Sequence, residues 1–407
     1  MNARAPYDVV LYGATGFTGS QTAEYFDERA GNQVRWAIAG RNAQKLAQLC
    51  SQLRTTPDVL VADADDPAAI DAMVAKTRVM LTTAGPFARY GEALVRSCAS
   101  RGVHYVDITG ETPWVRRMID RYEQKAIGSG AKIVPFCGYD SVPSDLGVLL
   151  LVEHFRSQGK ATRSVRSFQR ARGGINGGTI ASMTNMMASA DRNVFDDPLL
   201  LNPDEHRRSD AAMSNRDPSA PQFDPDLGRW VAPFFMAPIN TRVVRRSHAL
   251  SSQWQQPYGD TFRYQEFWDL GAAAGYPGAA FAAFGMGFFQ SLMRLPGVAR
   301  FVEAIAPAPG DGPSEATMDD GFYECRFVGT ADDGTKAWAR IAGSGDPGNR
   351  ATVTFVCESA LALATQADQL PGGSGRAGFL TPATAFGDTL VVRLRSAGVT
   401  LDCPTTP

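Results

Sequence analysis

The chain has 407 residues, 44% of them hydrophobic, with 40 Lys and Arg against 42 Asp and Glu. That length suggests two domains or one with large insertions, and a net charge of −2 gives no footing for a nucleic-acid partner. Six scattered cysteines without a Cys-x-x-Cys, four dispersed histidines and an opening Met1 to Pro6 without an apolar leader core argue against disulfides, zinc and secretion.

A short apolar strand, Val9 to Leu11, runs into Gly13-Ala14-Thr15-Gly16-Phe17-Thr18-Gly19. A helical pattern follows, with Ala23, Phe26 and Ala30 on one face and Gly31 as its stop. Gly13 lets the chain turn off the strand. Gly16 leaves room for a pyrophosphate at the backbone, and Gly19 lets the helix approach the sheet. The helix N-terminus, with Thr15, Phe17 and Thr18 around it, then offers free N–H groups to phosphates.

The second strand, Val34 to Ala39, ends at Gly40-Arg41-Asn42. Dinucleotide sites that take NAD usually carry an acid here, for the ribose 2′-hydroxyl. Arg41, with Lys45 a turn on, suits a 2′-phosphate instead, so the expected cofactor is NADP(H). A third strand, Val59 to Ala62, ends at Asp63, assigned to the same nucleotide. Asp66-Pro67 then reads as an N-cap and first helical residue. The fourth strand, Val79 to Thr82, enters a loop whose Ala84, Gly85 and Pro86 should border the cofactor. The fifth, His104 to Asp107, leads to Glu111, and the sixth, Lys132 to Pro135, leads to the loop Phe136 to Asp145. Six strands alternating with helices mean a parallel, doubly wound sheet, which binds ligands at the carboxyl ends of its strands. The loops after strands one, four, five and six should crowd one crevice there. Tyr139 and Tyr90 are the candidate proton donors, and Asp140 and Glu111 the candidates to relay or orient a proton. Ser144 and Asp145 read equally as caps of the next helix.

Tyr12-Gly13-Ala14-Thr15-Gly16-Phe17-Thr18-Gly19, Ala39-Gly40-Arg41-Asn42, Ala84-Gly85-Pro86-Phe87, His104 to Glu111 and Gly138 to Asp145 together resemble the saccharopine dehydrogenase-like oxidoreductases, in their trans-acting enoyl reductase branch. The resemblance resumes at Pro309 to Ser314, Gly345 to Gly348 and Leu380 to Ala383, with Asn349 where an aromatic is expected. It implies a Rossmann-type NAD(P)-binding domain and C=C reduction on acyl or polyketide thioesters in glycolipid synthesis, with lipid or membrane association.

Past Leu146 the alternation stops. Arg166 to Ala171 reads as a strand. Gly173-Gly174-Ile175-Asn176-Gly177-Gly178-Thr179 precedes a helical pattern with Met183, Met186 and Met187, either a substrate-touching loop or a plain helix start. Residues 196–227 read as a surface excursion or lid. Leu270 to Met293 carries no charge over 24 positions, and fits a buried helix, an interfacial segment or, least well because of its glycines, a membrane span. Phe322 to Gly329 and Lys336 to Ala342 form a hairpin about Asp332-Asp333-Gly334, with Ala351 to Cys357 as a third strand. Thr381-Pro382 caps a final helix bearing Phe386, Leu390 and Leu394, stopped by Gly398.

The expected architecture is therefore a Rossmann-type domain over 1–145, a substrate- or lipid-facing α+β domain with a mainly antiparallel sheet over 146–375, and a C-terminal helix over 376–407 that returns to the first. No Tyr-x-x-x-Lys pair occurs. The expected activity is NADPH-dependent reduction of an acyl or polyketide C=C bond. An imine or carbonyl reductase of an amino-acid-like substrate, needing Arg170 and Arg172 for its carboxylates, and a non-catalytic lipid-associated NADPH binder stand as alternatives. Expected partners are a hydrophobic small-molecule substrate, with peripheral membrane contact and a homodimer left open. The expected location is the cytoplasm or the membrane periphery.

Overall fold

The structure, a computed structural model, describes residues 5–30, 33–174, 196–207, 215–293, 298 and 312–403. Its first part runs β1 (Tyr7–Tyr12), α1 (Phe17–Arg29), β2 (Trp36–Gly40), α2 (Ala43–Cys50), β3 (Asp58–Val61), α3 (Pro67–Val74), β4 (Thr77–Thr82), α4 (Phe87–Tyr90), α5 (Glu92–Arg101), β5 (His104–Asp107), α6 (Thr112–Ser129), β6 (Lys132–Val134) and α7 (Val142–Ser157). The middle holds β7 (Thr162–Arg172), β8 (Gln222–Asp224), β9 (Arg229–Pro233), α8 (Ala237–Gln253), β10 (Arg263–Trp268) and α9 (Gly275–Met293). The last part is α10 (Glu315–Asp319), β11 (Phe322–Ala331), β12 (Lys336–Ser344), α11 (Thr352–Thr365), β13 (Gly378–Phe379), α12 (Pro382–Phe386), α13 (Asp388–Ser396) and β14 (Thr400–Asp402).

The first sheet has the order β13-β6-β5-β4-β1-β2-β3, with every pairing parallel. The order reverses between β1 and β4, the switch point where doubly wound sheets bind nucleotides. Its inner strands are buried on both faces, which is why they read as continuous apolar runs, whereas the edge strand β3 leaves Val59 and Val61 exposed. Val9, Leu11, Ile38, Val79, Leu81 and Val106 share a core with Ala23 and Phe26 of α1 and Phe355 of α11. Val10, Ala37, Met80, Tyr105 and Ile133 face the other way, into Ile70 of α3, Leu94 of α5 and Val115 of α6.

The second sheet has the order β14-β12-β11-β7-β10-β9-β8. It is antiparallel except where β10 runs parallel to β7. One face, with Val165, Cys325, Phe327 and Ile341, packs on Leu151 and Phe155 of α7. The approach is close: a Cβ on Gly147 would lie 2.3 Å from the Phe327 ring. The other face carries a small cluster, Phe168, Val231, Phe267 and Val328, and is otherwise charged.

Several expectations fail here for physical reasons. Ala351 to Cys357 is not a strand: a turn at Pro347–Ala351 leads into the helix Thr352–Thr365. Most of that helix is buried, Val353, Phe355, Val356, Ala360, Leu361 and Leu363 included, so no polar stripe exposed its period. The outer strand beside β12 is β14 instead. The final helix is two helices, broken at Gly387 with φ +51°, although Phe386, Leu390 and Leu394 are all buried. The surface excursion or lid expected over 196–227 is exposed at Gln222 and Phe223 but is anchored at its start. Leu199, Leu200 and Leu201 are buried, and Arg116 and Arg246 hold the carbonyls of Asn202 and Leu201. The buried-helix reading of Leu270 to Met293 fails too, since Phe281 is 78%, Phe284 72% and Phe288 60% exposed. No helix among the described residues is long and apolar enough to cross a membrane. Residues 175–195, with their second glycine pair and methionines, lie outside the described residues.

Candidate active site

The glycine loop sits at the carboxyl end of β1. Gly13 has φ +85°, and a Cβ on it would come 2.9 Å from the Ala84 side chain. A Cβ on Gly19 would lie 2.1 Å from the Gly13 carbonyl oxygen, so only glycine lets α1 start this close to the strand. Gly16 occupies the N-cap of α1 with no side-chain cap, and it is exposed. The first amides of the helix, beside Thr15, Phe17 and Thr18, therefore face the crevice without side-chain competition. This cradle fits a pyrophosphate.

Arg41 follows β2 directly and Lys45 lies in the first turn of α2, capped by Asn42. Both are exposed, and neither has an ion pair among the described residues. Asp63 follows the end of β3, where its carboxylate accepts from the Asp65 amide at 3.1 Å. Arg41 and Asp63 both act on the Tyr12 hydroxyl, whose pKa is pushed up to about 12 chiefly by burial. An unpaired guanidinium at this corner suits a 2′-phosphate.

The Ala84-Gly85-Pro86 loop leaves β4 beside Gly13. Glu111 clamps its far end: its two carboxylate oxygens accept from the amides of Phe87 at 2.8 Å and Ala88 at 2.9 Å. Tyr90 is half-buried, with the Arg89 guanidinium 5.0 Å over its ring. Behind this, Asp107 accepts from the amides of Thr109 and Phe136 and from the Tyr105 hydroxyl. Burial nevertheless raises its pKa to about 7. The Phe136 it holds has φ +65°, a strained value for a bulky residue.

The Phe136 to Asp145 loop divides its residues between two jobs. Tyr139 is buried; its amide donates to Thr352 Oγ1 at 3.1 Å and its hydroxyl lies 3.8 Å from Cys325 Sγ on the second sheet. Burial raises its pKa well above the ordinary tyrosine value. Asp140 points the other way, with Oδ2 3.6 Å from where a Gly110 Cβ would stand. Burial alone raises its pKa to about 6, and no described residue bonds its carboxyl. Ser144 and Asp145 lie inside α7, not at its cap, Ser141. Ser144 donates to Glu266 at 2.5 Å, while Asp145 accepts from Ser247 at 2.5 Å and the Ala383 amide at 2.7 Å.

The structure thus brings the glycine loop, Ala84, Glu111 and Asp140 to one set of strand ends, and turns the Tyr139 hydroxyl into the junction between the sheets. Gly312, where the described chain resumes, rests against the Phe17 ring. Arg170 and Arg172 do not join the crevice. They alternate with Gln169 and Ala171 on β7 and point from the opposite face, where Arg170 meets Glu324 at 3.8 Å. A recess of about 220 Å³ lies along the C-terminal half of α7, lined by Leu149, Arg156 and Tyr258, and contains none of the expected site residues. Sequence reasoning missed Glu266, Asn240, Cys325 and Thr352. The first two complete a buried chain: Ser141 donates to Asn240 Oδ1 at 3.3 Å, and Asn240 Nδ2 to Glu266 at 3.0 Å. No metal-binding cluster occurs among the described residues.

Comparison with known proteins agrees with this geometry. Residues 9–134 match the family model of the saccharopine dehydrogenase NADP binding domain. A Mycobacterium tuberculosis protein provisionally named a trans-acting enoyl reductase is 41% identical, over 97% of each chain. A trans-acting enoyl reductase of Mycobacterium bovis is 37% identical over 98% of each. Among solved structures, the L-Glu-forming saccharopine dehydrogenase of Saccharomyces cerevisiae aligns with a TM-score of 0.56 at 14% identity, covering 98% of this chain and all of that one. At that identity it speaks to the fold alone. The chain belongs to the saccharopine dehydrogenase-like family of NADP(H)-dependent oxidoreductases, in the branch that contains the trans-acting enoyl reductases.

Proposed function

We propose that the protein reduces the C=C bond of an acyl or polyketide enoyl thioester presented in trans. The observation that carries this reading is the 41% identity over 97% of the chain, substrate-side half included. When bound, NADPH supplies a hydride for the β-carbon of the enoyl group. The α1 amides and the glycine loop would hold its pyrophosphate and Arg41 and Lys45 its 2′-phosphate, with Asp63 and Ala84 to Pro86 bordering it. Glu111 keeps the Phe87 and Ala88 amides in place, so that the loop cannot drift from the reacting ring. Charge then builds on the thioester oxygen, and the Tyr90 hydroxyl donates to it. The partnerless Asp140 carboxyl, with its pKa near 6, delivers the proton to the α-carbon. Tyr139 holds the loop to Thr352 and Cys325, acting as a positioning residue.

The test is substrate-dependent NADPH oxidation, with enoyl thioesters set beside keto acids plus amines. Turnover of the thioesters, lowered at least ~100-fold in kcat by Asp140→Asn, supports the reading. Turnover of the keto acids alone overturns it.

The finer setting is a proposal on separate grounds. The exposed face of α9, with Phe281, Phe284 and Phe288, belongs to a stretch with no charge between Leu270 and Met293. Such a face suits a lipid surface, from which a greasy substrate would be drawn. Co-sedimentation with vesicles, lost in Phe284→Asp, is the expected result. Equal recovery of both proteins in the supernatant would reject it.

A further inference from the structure

The outer face of the second sheet carries a row of arginines that the reaction does not use. Arg340 on β12 and Arg326 on β11 are direct cross-strand partners, and Arg170 on β7 stands opposite Glu324. Arg172 follows at the end of β7, over the Phe322 ring at 5.9 Å. Like charges directly opposite on adjacent strands destabilise a sheet. Here the single carboxylate of Glu324 is shared among three of them: Arg340 at 2.7 Å, Arg326 at 3.0 Å and Arg170 at 3.8 Å. Burial opposes its ionisation, but the Arg340 and Arg326 guanidiniums hold its pKa below the ordinary value. Asp402 pairs with Arg340 in register on β14 but makes no ion pair with it among the described residues. Among the described residues of this row, Arg170, Arg172, Arg326 and Arg340 thus stand beside the carboxylates of Glu324 and Asp402, while Asp224 and Asp226 on the same face are taken by Arg166 and Lys336. The side chains of the row remain open, 40% exposed at Arg170, 33% at Arg326 and 46% at Arg340.

The position of this surplus is as informative as its sign. Just beyond Arg172, a Cβ on Gly173 would lie 2.5 Å from Asp346 and one on Gly174 2.5 Å from Pro313. The neighbouring Gly312 touches Phe17 of the phosphate loop. The basic row thus runs to the end of β7 nearest the cofactor cradle, and Cys325, which meets Tyr139, lies on the reverse of β11. A second copy of this chain is a poor occupant. A two-fold contact sets a patch against itself, here arginine against arginine.

We propose that this face docks an acidic protein surface: that of the carrier which presents the enoyl thioester in trans. The inference rests on the enoyl reductase reading above. Basic-to-acidic pairing steers encounter and sets orientation, and it weakens with salt. A carrier seated there has its substrate arm at the end of β7 that opens onto the glycine loop.

The experiment compares a crotonyl group on the phosphopantetheine arm of an acyl carrier protein with crotonyl N-acetylcysteamine, for the wild type, Arg326→Gln/Arg340→Gln and Arg170→Gln. The expected result is a KM for the carrier-bound substrate raised about tenfold or more in the variants, and rising with salt in the wild type. The kcat/KM for the free thioester should stay unchanged, which also shows that the variants fold. Equal responses of the two substrates, or a carrier KM indifferent to salt, overturn the proposal while leaving the reductase reading intact. Loss of binding to anionic vesicles with an unchanged carrier KM assigns the face to lipid and overturns it as well. No turnover of either thioester by the wild type removes the reductase reading and this inference together.

Discussion

Glu111 and Phe87 are joined by a hydrogen bond of 2.8 Å from the Phe87 amide to the carboxylate, doubled by the Ala88 amide at 2.9 Å. A buried carboxylate on one strand-end loop thereby fixes the start of a helix on another. Glu111→Gln keeps one acceptor oxygen and loses the other, together with the charge. A hydrogen bond to a charged group contributes about 1.5–3 kcal/mol. The variant should unfold at lower denaturant by that order, and bind NADPH roughly tenfold more weakly. A denaturation midpoint and an NADPH fluorescence titration indistinguishable from wild type would show that the clamp has no such role.

Arg41 is exposed and, among the described residues, has no ion pair. Arg41→Ala should weaken NADPH binding roughly tenfold to a hundredfold, the worth of one charge-assisted contact, and leave NADH unchanged. Paired titrations with the two cofactors measure the ratio, and an unchanged ratio removes Arg41 from the 2′-phosphate.

Gly19 tolerates no side chain, because a Cβ there would lie 2.1 Å from the Gly13 carbonyl oxygen. In Gly19→Ala the helix must move off the strand, at about 1–3 kcal/mol or more. Its phosphate-facing amides move with it. Urea denaturation should show that loss, with NADPH binding abolished. Gly128→Ala, inside a helix where nothing lies within 4 Å, is the control: it should leave NADPH binding unchanged and raise stability by about 0.4–1 kcal/mol.

Buried carboxyls set a pH dependence of known sign. Burial raises the pKa of Glu266, Asp145 and Asp107 to about 7 each. A carboxyl whose folded pKa lies above its unfolded one favours the fold while protonated. That contribution is complete below the unfolded value near 4 and is lost as pH rises through about 7. The three carboxyls therefore lower stability between pH 5 and pH 8, most clearly above pH 6.5, below which the buried His104 and His248, with pKa lowered to about 4, act in the opposite direction. Glu266→Gln keeps the shape without the titration, so it should flatten the fall by up to about 3 kcal/mol. A wild-type stability that rises over the upper part of this range would contradict the account.

The dinucleotide-binding half was legible because each strand end carries punctuation. Gly13 to Gly19 and Pro86 answer local backbone needs, and such needs are written locally; Glu111, expected to relay or orient a proton, is found bonded to the Phe87 and Ala88 amides, a role set by a loop some two dozen residues away. The helix Thr352–Thr365 was not legible. Val353, Phe355 and Val356 have strand character, and burial on nearly every side removes the polar stripe that would mark a helix. Nor could the chain reveal that Tyr139 turns toward Cys325 while Asp140 faces the crevice. They are neighbours, and their separation is decided by a partner 186 positions away. Nothing in the sequence marks Arg242, Arg245 and Arg246 of α8 for burial. They are buried because Asp217, Leu201 and Phe379 arrive from distant stretches to receive them.

The placement of α11 and β13 has a consequence for how the protein comes into being. α11 covers β4, β5 and β1 on one face of the first sheet, and β13 extends that sheet beyond β6. Strands β1, β4, β5 and β6 are therefore finished only by residues that lie far later in the chain, in Thr352–Thr365 and Gly378–Phe379. A ribosome-bound fragment ending near Asp145 exposes a bare apolar face and an unpaired edge. It should depend on chaperones, and a gene cut there should give insoluble product instead of a free-standing nucleotide-binding module.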